Sequence, residues 1–421
     1  MSLPIHRLSN GVRVVCDPMP GLETVALSVV YGAGARFEPK NRSGWAHLLE
    51  HMAFKAAGGR SAAEIARTTE AAGVQLNAET SYERTSYQMR GLASELALGM
   101  ATIADMTQRP DFLPDELERE KDVVGQEIAE ARDTPDDHVF DLAQTKCYDG
   151  ALGRPILGTV QSLKSATRET MEAWRQALYA PERTVISVAG ALDEDEVLRL
   201  AESSFGHVQP TGAVPQAEPQ TFIGGVAVQA RRIEQANLVW ILPGPDSQDE
   251  AWYAARLFSE ILGGGMASRL FQKAREDRGL AYTIYAWCAS YEGAGQIGVF
   301  AGSAAESAEP LGALVAEQIL EMGEGVSNEE LARGKAQLET SLFMARESPL
   351  GRAERAAAQT LLFDRILSPE ETRAGVEAVT VEDLRKLVAD TLAPRLTASA
   401  TLGPKAAGGA GTAFTSRLFG N

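Results

Sequence analysis

The chain has 421 residues, of which 44% are hydrophobic, and this is enough for two or more globular domains. Its formal net charge of −17 argues against nucleic acid as a partner, because binding to phosphates requires concentrated Lys and Arg. No stretch is long and apolar enough to cross a membrane, and the first residues do not resemble a secretory signal. Three widely spaced cysteines do not indicate a disulfide framework, so the composition predicts a cytoplasmic protein with no membrane partner.

The first half of the chain is predicted to combine strands and helices. Strand-like runs predict strands at 12–16, 24–31, 85–92 and 185–189. Helical periodicity predicts helices at 44–56, 62–72, 93–108, 113–131 and 168–179. This mixture is typical of an α+β domain.

A change in composition separates this half from a second one of similar design. Residues 209–222 contain several prolines and no periodicity, which is typical of a linker. Beyond it, strands are predicted at 225–229, 236–242, 282–290 and 295–301, and helices at 249–262, 268–276, 310–324 and 328–347. The small residues at 406–413 predict a flexible tail.

The repeated mixture of elements predicts an α+β fold made of two homologous α/β-sandwich halves. Each half is expected to be a mixed sheet covered by helices, and the two are expected to face each other around a cavity. The predicted domains are an N-terminal one at 1–208, the linker at 209–222 and a C-terminal one at 223–421.

The clearest indication of chemistry is the pentapeptide His47-Leu48-Leu49-Glu50-His51, in a chain with only five histidines. On a helix, positions i and i+4 lie on one face, so the two imidazoles can bind a single metal ion. Glu50 can reach the same face, where a carboxylate takes the proton of a zinc-bound water. The order His-x-x-Glu-His occurs in zinc peptidases. Solvated or packed histidines that bind no metal are the alternative.

A catalytic zinc site usually needs a third protein ligand. The acidic helix predicted at 113–131 offers Glu120 and Glu127, which lie two turns apart on one face. One could bind the metal while the other accepts the free N–H of a ligating imidazole. Spacing alone does not choose between them, and the same helix carries Glu116, Glu118 and Glu130.

The segment from Gly44 to Lys55 resembles the zinc-binding segment of the pitrilysin-type metallopeptidases, also called inverzincins or family M16. The resemblance is strongest to their mitochondrial-processing-peptidase-like branch and its bacterial relatives. In that family the third ligand is a glutamate about 76 residues past the second histidine, the interval between His51 and Glu127. A supporting glutamate seven residues earlier corresponds to Glu120.

The resemblance implies one Zn²⁺ per chain, bound by His47, His51 and Glu127, with Glu50 as the catalytic base. The stretch 76–81 resembles a family strand whose edge pairs with the substrate backbone, which implies substrate contacts at Asn77 and Ala78.

In the second half, the glycine run at 263–265 and the residues after it resemble the C-terminal homologous domain of the family. There an arginine and a tyrosine seven residues apart hold the substrate, which corresponds to Arg275 and Tyr282. The implied activity is zinc-dependent endopeptidase cleavage of unfolded or short peptides, each bound as an extra strand in a cavity between two halves.

The resemblance also implies that the chain acts as a dimer. A homodimer is expected, and a heterodimer is the alternative. Two other functions remain as alternatives: a non-catalytic or obligate-heterodimer subunit of a processing-peptidase-like complex, and a metal-dependent hydrolase whose substrate is not a peptide.

Overall fold

The computed structural model describes residues 3–212 and 216–420, so that residues 213–215 of the predicted linker lie outside the described residues. The strands are β1 (Ile5–Arg7), β2 (Arg13–Pro18), β3 (Thr24–Tyr31), β4 (Ala56–Ala57), β5 (Arg60–Ser61), β6 (Gln75–Thr80), β7 (Thr85–Leu92), β8 (Tyr148–Asp149), β9 (Thr184–Gly190), β10 (Thr221–Phe222), β11 (Gly225–Ala230), β12 (Ala236–Pro243), β13 (Thr283–Tyr291), β14 (Ala294–Ser303) and β15 (Ala398–Gly403).

The α-helices are α1 (Trp45–Ala53), α2 (Ala62–Ala71), α3 (Leu96–Gln108), α4 (Pro114–Asp133), α5 (Pro135–Cys147), α6 (Val160–Leu163), α7 (Arg168–Leu178), α8 (Glu194–Phe205), α9 (Trp252–Gly263), α10 (Ala308–Glu324), α11 (Asn328–Met344), α12 (Pro349–Phe363), α13 (Pro369–Ala378), α14 (Val381–Leu392) and α15 (Ala410–Phe419). The elements predicted up to residue 347 form near their predicted positions, because their apolar periodicity is strong.

These elements form two compact units. The first consists of the described residues of Met1–Ile128, Pro155–Glu218 and Phe343–Ser368, and the second of those of Ala129–Arg154, Pro219–Leu342 and Pro369–Asn421. The predicted domains are continuous in sequence, whereas each compact unit also contains a segment from the other half of the chain. A single boundary in the sequence cannot describe two units that each contain a segment from the other half of the chain.

The first unit is built on a six-stranded sheet with the order β1-β2-β9-β3-β7-β6. Strands β2 and β9 are parallel, and the other neighbours are antiparallel. Alternate side chains of the sheet face opposite sides. Leu27 and Val29 belong to the main core with residues of α1, α3, α7 and α8, whereas Val30 and Val185 pack against Ala357 of α12. Helix α1 is therefore anchored by the central strands of this sheet.

The second unit is built on a five-stranded sheet with the order β11-β15-β12-β14-β13. It repeats the connectivity of the first, with a parallel pair, β11 and β15, followed by antiparallel neighbours. Val299 packs in the core formed with α9, α10, α14 and α15, and the adjacent Phe300 stacks on Phe140 of α5. Within the described residues, each unit is thus a mixed sheet with helices on both faces.

The predicted flexible tail at 406–413 is wrong. A short 3-10 helix, Lys405–Gly409, leads into α15, and Ala407, Ala410 and Phe414 are buried in the core of the second unit. Its residues are closely packed: a Cβ on Gly411 would clash with the buried side chain of Ser399 in β15, and helix α10 comes so near that a Cβ on Gly312 would lie 2.5 Å from the carbonyl oxygen of Ala410. Close packing, and not flexibility, accounts for the composition.

Among the described residues, no helix combines the length and the apolar character needed to cross a membrane.

Candidate metal centre

Helix α1, which carries the His-x-x-Glu-His motif, is held at its N-terminus by a buried carboxylate. The two carboxylate oxygens of Glu38 accept hydrogen bonds from the backbone N–H groups of Gly44, at 2.8 Å, and Ala46, at 2.6 Å. The first N–H groups of a helix have no partner inside it, and a negative charge there is favoured by the helix dipole. Gly44 has φ of 91°, and a Cβ on it would lie 2.5 Å from the carbonyl oxygen of Leu157. This position therefore requires glycine.

Two imidazoles of α1 and one carboxylate of α4 converge on a common point. Nε2 of His47 lies 3.8 Å from Oε2 of Glu127, and Nε2 of His51 lies 3.6 Å from the same oxygen. One potential ligand atom from each of the three residues lies within 4.8 Å of the other two. Ligand atoms on a tetrahedral zinc ion are about 3.3 Å apart, given metal–ligand distances of about 2.0–2.2 Å. The three side chains therefore fit one zinc ion after small adjustments.

Glu120 lies behind His51. Its Oε2 is 2.9 Å from Nδ1 of His51, and its Oε1 is 2.7 Å from Nζ of Lys55. An ionised carboxylate only accepts hydrogen bonds, so the imidazole proton belongs on Nδ1, and Nε2 keeps its lone pair for a metal. The packing of α4 on α1 thus distinguishes two glutamates that spacing left equivalent: Glu127 faces both Nε2 atoms, and Glu120 contacts Nδ1.

The remaining glutamates of α4 lie elsewhere. Glu116 pairs with Arg119, Glu118 pairs with Lys121, and Glu130 is exposed.

Glu50 lies one turn from His47 and faces the end of strand β6. The hydroxyl of Thr80 donates a hydrogen bond to Oε2 of Glu50 over 2.6 Å. Burial raises the pKa of Glu50 above its usual value, whereas the Thr80 hydrogen bond acts in the opposite direction. A carboxylate with a raised pKa is suited to accept and return a proton near neutral pH.

Sequence reasoning missed two polar residues of this site, Lys55 and Thr80. Lys55 follows His51 by four residues, a spacing that places two side chains on the same side of a helical turn and could have indicated it. Thr80 and Glu50 are 30 residues apart on a strand and a helix, so no local pattern indicates their contact.

Asn77 and Ala78 lie in the middle of β6, the last strand of the first unit's sheet. Ala78 packs against the main core, and Asn77 is exposed. Among the described strands, β6 pairs only with β7, so its other side presents the unpaired backbone groups of an edge strand.

Arg275 and Tyr282 lie in the second unit. Arg275 is part of a π-helical turn, Phe271–Glu276, and its guanidinium lies 4.7 Å from the centre of the Phe271 ring. Tyr282 precedes β13 and is 63% exposed. Both side chains can therefore reach a ligand, and their substrate role stays a prediction.

Comparison with known proteins accounts for this arrangement. Residues 13–160 match the family model described as "Insulinase (Peptidase family M16)", and residues 165–338 match "Peptidase M16 inactive domain". An "Uncharacterized zinc protease" of Rickettsia felis is 33% identical over 402 residues, which cover 95% of this chain and 97% of that protein. "Uncharacterized zinc protease YmxG" of Bacillus subtilis is 34% identical over 384 residues, which cover 91% and 94%. The chain belongs to peptidase family M16.

Solved structures of low sequence identity share the fold of this M16 peptidase. A protease from Helicobacter pylori has a TM-score of 0.88 at 19% identity and covers 96% of the chain and 99% of its own. A peptidase M16 inactive domain from Pseudomonas fluorescens has the same TM-score at 21% identity and the same coverage. The predicted α+β fold of two halves is confirmed.

Membership in family M16 also confirms the resemblance that the sequence carried. The donor set supports zinc as the metal, because two imidazoles and a carboxylate form the protein ligands of known catalytic zinc sites. No histidine follows His207 in the sequence, so the C-terminal half cannot form a second site of this kind.

Proposed function

We propose that this M16 peptidase is a zinc endopeptidase that cleaves unfolded or short peptides, with one Zn²⁺ per chain. The observation that carries the proposal is the convergence of His47, His51 and Glu127, with Glu50 beside them. When bound, zinc supplies an acidified water and polarises the scissile carbonyl.

The protein side chains would then transfer and position the protons. Glu50 would accept a proton from the attacking water and deliver it to the leaving amine. Thr80 donates a hydrogen bond to one carboxylate oxygen of Glu50 and so restricts its rotation, which leaves the other oxygen free to act. Glu120 keeps the proton of His51 on Nδ1 and the ring in its metal-facing orientation.

The substrate would add as an extended strand to the free edge of β6, near Asn77 and Ala78. Backbone hydrogen bonds provide affinity in this mode, so an extended peptide is favoured over a small ester and over a folded protein. From the family resemblance, Arg275 would bind the peptide as a charged donor and Tyr282 as a hydroxyl donor.

A mixed peptide library with mass-spectrometric readout tests this proposal. The purified chain should cleave peptides, and removal of the metal with a chelator should stop cleavage until zinc is restored. Glu50→Gln should retain zinc while losing at least about a hundredfold in kcat/KM, because it deletes only the base. The matched control is Glu130→Gln, which makes the same change on the exposed side of α4 and should leave cleavage unchanged.

Full activity of Glu50→Gln would disprove the role of this residue. A wild-type chain that binds zinc but cleaves no peptide would instead favour the alternative of a non-catalytic or obligate-heterodimer subunit. Light scattering on the purified chain would test the homodimer that we also propose from the family resemblance.

A further inference from the structure

Among the side chains that the structure describes, Lys55 is the one in contact with Glu120 that the proposed mechanism does not use. The residue follows the end of α1, and its backbone is held on both sides: its N–H donates to the carbonyl of Met52, and its carbonyl accepts from the N–H of Ala62. The side chain is one-third exposed and extends to Glu120, where Nζ lies 2.7 Å from Oε1. Its position is therefore well determined.

Glu120 depends on this contact because it is deeply buried. The residue is only 3% exposed, and its carboxylate oxygens face two partners, His51 at Oε2 and Lys55 at Oε1. A buried carboxylate that loses a charged partner loses much of the compensation for its desolvation. With one oxygen left unpaired, the carboxylate would rotate or attract water, and the hydrogen bond at His51 would be displaced with it.

Two opposing effects of Lys55 on a metal at this site can be separated. Its positive charge repels a cation, so its removal would strengthen metal binding if direct electrostatics dominated. Its hydrogen bond also orients the carboxylate behind His51, so its removal would weaken metal binding if orientation dominated. Lys55 contacts none of the three metal-facing atoms, and its charge is directly opposed by Glu120 at 2.7 Å, which favours the second effect.

We propose that Lys55 is a positioning residue of the zinc site, which acts through the buried carboxylate of Glu120 to hold the imidazole of His51 in its metal-binding orientation. This inference rests on the proposed assignment of His51 as a ligand. It adds one residue to the site: the ammonium group of Lys55 orients the carboxylate of Glu120, which in turn orients the imidazole of His51.

The test is the zinc dissociation constant of the full-length chain, measured by competition with a chromophoric chelator in the absence of peptide. Lys55→Met keeps the apolar stem and removes the charge and its donors. It should weaken zinc binding about tenfold, the lower part of the range seen when groups behind a metal ligand are removed. Lys55→Arg keeps a charged donor and should restore most of the affinity.

Lys121→Met is the matched control. Lys121 follows Glu120 directly on α4, and its side chain is also largely buried, but its ammonium group pairs with Glu118. This substitution should leave the zinc dissociation constant unchanged. A loss of zinc affinity caused by general destabilisation after removal of a paired lysine would appear in both variants, whereas loss of positioning would appear only at Lys55.

The outcomes separate this inference from the proposed function. Zinc affinity of Lys55→Met within about twofold of wild type, or stronger, would overturn the positioning role while leaving the peptidase proposal intact. Equal weakening in Lys55→Arg and Lys55→Met would also overturn it. Failure of the wild-type chain to bind zinc would reject the proposed metal site itself. If Lys55→Met does not fold, Lys55→Gln takes its place and should bind zinc more weakly than Lys55→Arg.

Discussion

The carboxylate of Glu38 determines how firmly helix α1, and with it the motif histidines, is held. Its two oxygens accept the N–H groups of Gly44 and Ala46 at 2.8 and 2.6 Å. Glu38→Gln replaces one acceptor by a donor, which faces an N–H group and cannot bond to it. The loss of one charge-assisted hydrogen bond costs about 1.5–3 kcal/mol, and the lost charge at the helix end costs up to about 1 kcal/mol more.

Hydrogen exchange measured by mass spectrometry over α1 is the appropriate assay, because the effect is local and a chain with two units need not unfold in one step. A loss of about 2 kcal/mol corresponds to exchange about 30-fold faster in the peptides that cover this helix. The control is Asp193→Asn at the exposed N-cap of α8, where the acid accepts the N–H of Glu196 at 2.9 Å. Asparagine caps a helix as well as aspartate does, so exchange over α8 should change little. Unchanged exchange over α1 in Glu38→Gln would refute this reasoning.

Three further substitutions test other parts of the structure. Thr80→Val removes the hydrogen bond to Glu50, so kcat/KM should fall about fivefold at unchanged zinc content; loss of zinc would show that Thr80 acts on the metal site as a whole. Gly44→Ala places a Cβ against a carbonyl oxygen at positive φ, so hydrogen exchange over α1 should show a local loss of about 1–3 kcal/mol, and unchanged exchange over this helix would contradict the strain. In the second unit, the hydrogen bonds from Arg269 and from Ser327, together with the charge of Arg269, lower the pKa of Glu330 from 4.5 to about 2. Stability from this carboxylate is therefore present above pH 4.5 and lost as the pH falls toward 2, so Glu330→Gln should lower the unfolding temperature at pH 7 and differ progressively less from wild type below pH 4.5. A difference that is independent of pH would contradict this assignment.

Much of the metal centre could be predicted because its information is local. His47, Glu50 and His51 lie within one turn and a half of a helix, and helical geometry alone brings them to one face. The interval to Glu127 became informative only through the family resemblance, because Glu120 and Glu127 share one face of α4 and no local rule separates them. The strands β3 and β7 were predicted with their observed bounds, since β3 is a largely apolar run and β7 alternates apolar and polar residues, and both patterns are typical of strands.

Tertiary structure alone decided the features that depend on contacts between distant segments. It placed Thr80 against Glu50, and it assigned Glu127 and Glu120 to opposite nitrogens of His51 through the packing of α4 on α1. It also assigned α12 to the first unit and α5 to the second, an exchange that leaves no periodic signal in the sequence. The sequence by itself thus determined the chemistry available on one helix, because helical periodicity is set by neighbouring residues. Which partners complete that chemistry depends on how elements far apart in the chain pack together.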